Sequence, residues 1–184
     1  DLSRDYELHY IFPRNYPSRV KSPIESLQLE NVHLINVNAG RVSKLRTLCR
    51  LKDFKNIGMR EGRDRLAMET FYRHLFRGRG QYLLAQVKTF GFLYRFYERY
   101  IRFQIGECRE IKEFIEDLKL DIIIHPTVLE GIFINDLIEI GKKKGIPTIC
   151  LMNSWDNPSC KATVMGYPDR LLVWGEQTKK HAMK

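Results

Sequence analysis

Asn153-Ser154-Trp155-Asp156-Asn157-Pro158-Ser159-Cys160-Lys161 puts a Trp, an Asp, two Asn, two Ser and a Lys in nine residues, straight after an apolar run. A Trp ring supplies an apolar plate, and Asp and Asn supply paired acceptors and donors. A sugar needs both, one for its C–H face and one for its hydroxyls. Asn153, Ser154, Trp155, Asp156, Asn157 and Lys161 are therefore candidate substrate-binding residues. The same stretch also reads as a helix start, with Asp156 or Ser154 as the cap and Trp155 packed beneath it.

His125 closes the run DIIIH and precedes Pro126-Thr127. Its free pKa of ~6.5 suits proton transfer near neutrality, so it is a candidate general base toward an acceptor hydroxyl. Glu130 is the rival base. Thr127, and Glu176 after the run DRLLVW, are candidate substrate contacts. Each has a structural alternative: a hydrogen-bonded strand-end histidine, and glutamates that favour a helix dipole.

Strands and helices must position these groups. Tyr6–Phe12, Val32–Val37, Asp121–His125, Pro147–Met152 and Asp169–Trp174 read as strands from their apolar content and the breakers that close them. Glu130 to Lys144 reads as a helix, ended by three lysines and Gly145 as C-cap, and another helix starts near Glu176. Arg41 to Leu118 holds no proline. It reads as three or four helices, broken at Gly58, near Gly62 and at Gly78-Arg79-Gly80. Helices between buried strands predict βαβ units, hence an α/β fold with a mostly parallel sheet covered on both faces. Ligands of such sheets bind outside the carboxyl ends of the strands. The loops after Ile124, Met152 and Trp174 are therefore expected along one rim.

The 184 residues suit one domain, here a single unit over 1–184 with a basic helical insertion at about 41–118. With 43% hydrophobic and 29% charged residues, long-range disorder and a disulfide-framed miniprotein are excluded. No apolar run approaches the ~20 residues of a membrane span. Cys49, Cys108, Cys150 and Cys160 form no CxxC pair and no zinc spacing, which predicts reduced thiols and no metal. No GxGxxG follows a strand and no GxxxxGK(S/T) occurs, so neither a dinucleotide nor a P-loop phosphate site is supported. The chain opens on Asp1 rather than Met, which predicts a piece trimmed from a longer protein.

The formal charge is +9, and it is unevenly spread. Arg41 to Arg102 carries 16 Lys/Arg against 5 Asp/Glu, leaving 15 against 17 elsewhere. Within it, Gln81–Gln104 reads as a long helix. Arg95, Arg99 and Arg102 share one face and Phe92, Phe96, Tyr100 and Phe103 another. Such a helix can lie on an anionic membrane surface, follow a nucleic-acid backbone, or pack its aromatics into the core. Nucleic acid is the weaker partner, because no recognised motif or exposed aromatic strand platform accompanies the charge.

Ser154-Trp155-Asp156-Asn157 with Ser159 and Lys161, then Val173-Trp174-Gly175-Glu176, resemble elements of the N-terminal domain of GT-B-type glycosyltransferases. The group comprises bacterial surface-carbohydrate biosynthesis proteins, distantly similar to nucleotide-sugar 2-epimerases and CDP-glycerol glycerophosphotransferases. The opening SRDYELHYIF resembles the second strand of such domains. The resemblance implies a Rossmann-like acceptor-side domain acting on a sugar or lipid-linked acceptor in cell-surface polysaccharide assembly. It implies a cytoplasmic protein, peripheral at the inner membrane face. No cofactor is expected within these residues. The nucleotide-sugar donor would sit on a missing C-terminal domain, so this chain alone is expected to be inactive. The alternatives are a glycerophosphotransferase or epimerase on the same fold, or a basic nucleic-acid-binding module.

Overall fold

A computed structural model describes residues 5–15, 25–57, 62–76, 78–127, 131–152 and 164–182. The chain is mixed α/β, and among the described residues its strands form two small parallel sheets. Strand β1 (Tyr10–Pro13) pairs with β2 (Val32–Ile35), Tyr10 opposite Val32. β1 is shorter than the expected Tyr6–Phe12. Asn31, at φ 53°, takes a left-handed turn just before Val32, and the ladder begins with the Tyr10 N–H donating to the Asn31 carbonyl at 3.0 Å.

Among the described residues five helices follow, one more than the most expected: α1 (Ala39–Asn56), α2 (Gly62–Leu75), α3 (Arg79–Thr89), α4 (Gly91–Ile105) and α5 (Arg109–Leu118). Asn38 caps α1, its side chain accepting from the Arg41 N–H at 3.0 Å. The single helix expected over Gln81–Gln104 is two. Phe90 is extended (φ −70°, ψ 120°), and Gly91 takes φ 32°, a backbone that side-chain-bearing residues rarely adopt.

Strands β3 (Ile123–His125), β4 (Thr148–Leu151) and β5 (Arg170–Leu172) form the second sheet in that order, all parallel. Ile124 stands beside Ile149, and Leu151 beside Leu172. Between β3 and β4 runs α6 (Ile134–Lys144). Gly145, at φ 71°, ends it as the left-handed C-cap the sequence predicts. The last helix, α7, is Glu176–Ala182.

Two large cores hold the chain together. Ile35, Ile111, Ile115, Ile123, Leu137 and Ile140 pack α5 and α6 against both sheets. Leu51, Phe54, Met68, Tyr72, Ala85 and Tyr94 give α1 to α4 a core of their own. Each fully buried Leu, Ile, Met or Phe among them contributes about 1.5–3 kcal/mol. A buried ion pair bridges the two regions. Arg41, in the first turn of α1, donates to both carboxylate oxygens of Asp136 in the first turn of α6 and to the Gly106 carbonyl.

Among the described residues, helices cover one face of the three-stranded sheet rather than both as the sequence predicts. Alternation points Ile123, Cys150 and Leu171 toward α6. Their neighbours Ile124 and Leu172 look the other way and are half exposed, at 51% and 53%. Cys150 is a buried thiol, pushed up to about 11 by its burial. Among the described residues, no helix is long and apolar enough to cross a membrane.

Candidate functional site

Because β3, β4 and β5 run parallel and adjacent, their carboxyl ends share one edge. That edge carries His125 at the end of β3 and Thr127 beyond it, Met152 after β4, and Trp174 and Glu176 after β5. The three strand ends expected to form one rim thus share an edge, and the loop after Met152 lies outside the described residues. Glu130, Asn153, Ser154, Trp155, Asp156, Asn157 and Lys161 lie outside the described residues.

His125 is half-buried, and its Nδ1 faces the backbone of Thr127. The Thr127 carbonyl lies at 2.5 Å and the Thr127 N–H at 3.3 Å from the same nitrogen. One nitrogen cannot serve both at once: Nδ1–H donating to the carbonyl is the tautomer that leaves Nε2 as the acceptor a general base needs. Burial lowers the imidazole's pKa, and the Thr127 hydrogen bond only partly opposes it. The ring is therefore neutral near pH 7, the form a general base requires.

Gly131 is what leaves room for that ring. A Cβ at residue 131 would lie 2.4 Å from His125 Cε1 and 2.9 Å from Nε2. No larger residue fits without moving the imidazole.

Trp174 is the residue that sequence reasoning did not single out as a binding group. It ends the run LLVW, which reads as buried strand, yet it is 71% exposed. Its Nε1–H donates to the Met152 carbonyl at 2.6 Å. That bond folds the indole back across the end of β4 and holds an apolar plate open to solvent at the rim. The signal lies in the glycine that follows, since Gly175 closes the apolar run just past the end of β5 and leaves Trp174 in the turn beyond the strand. His125 belongs to the helix-covered side of the sheet and Trp174 to the open side, with β4 between their strands. Two strand spacings, about 10 Å, separate those strands. Glu176 opens α7 at the same rim, largely exposed, with Lys179 at 3.5 Å.

The basic residues divide. Arg95 and Arg99 are exposed on α4. Arg102 does not join them as a free surface cation. It pairs with Glu98 at 3.0 Å and Glu139 at 3.7 Å, and donates to the Met165 carbonyl at 3.2 Å, tying α4 to α6 and to the segment before β5. Among the described residues, no group of three or more His, Cys, Asp or Glu is arranged to hold a metal ion.

Comparison with family models, with curated proteins and with solved structures gives no match for this chain.

Proposed function

We propose that the chain is the acceptor-side, Rossmann-like domain of a GT-B-type glycosyltransferase in cell-surface polysaccharide assembly. The observation that carries this reading is the shared rim. It holds a half-buried histidine, whose burial disfavours the charged form, and a tryptophan plate fixed by its own N–H. The motif resemblance at Ser154–Asn157 and Val173–Glu176 points the same way.

In the reaction, an acceptor hydroxyl attacks the anomeric carbon of a nucleotide sugar. A C–O bond to the acceptor forms, the bond to the nucleotide phosphate breaks, and the nucleoside diphosphate leaves with the electron pair. His125 Nε2 takes the hydroxyl proton as attack proceeds. Trp174 holds a saccharide ring of the acceptor by its C–H face. The donor would bind on a second domain.

The test is transfer from a panel of nucleotide sugars, run with the complete open reading frame beside residues 1–184. Transfer is expected from the complete protein alone. His125→Ala is expected to lower kcat by about 10²–10⁴-fold with KM little changed. Turnover unaffected by that substitution would remove His125 from the reaction.

A further inference from the structure

An exposed apolar surface that the sheet rim does not account for lies on α3 and α4. Tyr82, Ala85, Tyr94 and Tyr97 fasten this helix pair to the helical core. Lys55 and Lys88 lie over the Tyr94 and Tyr97 rings, each 4.9 Å from the centroid. Most other large apolar side chains of the pair point outward, Ile101 excepted. Leu83, Leu84, Val87, Phe90, Phe92, Leu93, Phe96, Tyr100 and Phe103 are all exposed, Phe96 at 70% and Phe103 at 87%.

On α4 the successive 100° steps of a helix place Phe92, Phe103, Phe96 and Tyr100 in one stripe. Arg99 and Arg95 fall along one border of that stripe, and the inward-facing Tyr94, Tyr97 and Ile101 fall opposite. An apolar stripe this large normally marks an interaction surface. What covers it can be argued from charge. Arg79 to Ile105 carries five Lys/Arg against one Glu, and that Glu98 is engaged by Arg102. A second copy of the chain would bring the same positive field against itself. An anionic partner would not. A nucleic acid has no use for Leu83, Leu84 and Val87, which neither stack on bases nor pair with their edges.

We propose that the α3–α4 pair docks on an anionic lipid surface. The phenylalanine stripe enters the headgroup–acyl boundary, and Arg95 and Arg99 meet lipid phosphates at its edge. The helices lie in the interface rather than across it. The inference is independent of the sugar-transfer reading, since it uses no residue of the sheet rim.

Cosedimentation of the purified protein with phosphatidylcholine vesicles, and with an equimolar phosphatidylcholine–phosphatidylglycerol mixture, tests it. Binding is expected to the anionic vesicles and to weaken as salt rises. Arg95→Ala with Arg99→Ala is expected to lower partitioning about thirtyfold, from roughly fivefold per basic residue. Phe96→Ser with Phe103→Ser is expected to abolish it while leaving the circular dichroism spectrum and Tm unchanged, because both rings are already outside the core. Failure to bind anionic vesicles would overturn the proposal. So would a dimer that the phenylalanine pair dissolves, or nucleic-acid binding that depends on the arginines and competes with vesicles.

Discussion

Removing the Arg41 guanidinium should strain the chain more than any surface charge would. Asp136 is 6% exposed and Arg41's side chain 16%, so their ion pair is shielded from water. Burial works against the Arg41 charge, but the hydrogen bonds and charge of Asp136 outweigh it, and its pKa lies above the ordinary value. Two unit charges ~4 Å apart attract by about 4 kcal/mol at an effective dielectric of ~20. Breaking a buried pair from one side costs about 3–5 kcal/mol, because the remaining charge stays buried without its partner. Arg41→Met keeps the length and apolar stem of the side chain, so the loss isolates the charge and its bonds to Asp136 and Gly106. Against a typical total of about 5–15 kcal/mol, such a loss brings a domain close to its folding threshold. Urea unfolding followed by circular dichroism reads it directly. The double variant Arg41→Met with Asp136→Leu removes both charges, and it is expected to recover more than about 1 kcal/mol relative to Arg41→Met. A loss below about 1 kcal/mol in the single variant, the size of an exposed pair, would refute the reasoning.

Gly131→Ala puts a methyl group 2.4 Å from His125 Cε1 and must displace the imidazole. It is expected to lower His125-dependent turnover by at least about tenfold, and retained wild-type turnover would show that the ring position does not matter. Stability should also depend on pH through two histidines. Burial lowers the pKa of His125, and burial followed by the neighbouring His9 lowers that of His33. The unfolded chain then binds more protons than the folded one, so their contribution is complete above about pH 7. It is lost as pH falls through ~6.5 toward the folded values. His125→Gln is expected to reduce the slope of unfolding free energy between pH 7.5 and 5.5, and an unchanged slope would contradict the neutral buried imidazole.

Much of the α/β framework could be read in the chain because its signals are local. DIIIH, PTICLM and DRLLVW each contain a strand of the second sheet, and Gly145 caps α6 as its lysine-rich approach predicts. What could not be read depends on partners distant in sequence or on small local energies. The break at Phe90–Gly91 hides in a helical pattern, because a glycine there costs only about 1 kcal/mol relative to alanine. The direction of the α4 phenylalanines was ambiguous because Tyr94, Tyr97 and Ile101 form a second, equally apolar stripe, and only the α1–α4 core decides which turns inward. Arg102 looked like Arg95 and Arg99 until Glu139 and the Met165 carbonyl came within its reach. At the site, the rim followed from parallel strand order. The exposed Trp174 did not, since it rests on a bond to the Met152 carbonyl, 22 residues away. The open face at Ile124 and Leu172 likewise has no local mark, because a strand buried on two sides and one left half open carry the same apolar run.

The most direct measurement is a titration of the isotope-labelled chain with saccharide acceptors, followed by nuclear magnetic resonance at the Trp174 indole N–H and the His125 ring. Saturable shifts at both positions, lost in Trp174→Ala while the rest of the spectrum stays folded, are the expected result. Saccharide shifts confined to surfaces away from the ends of β3, β4 and β5, or binding that survives Trp174→Ala undiminished, would contradict a sugar-acceptor site at that edge.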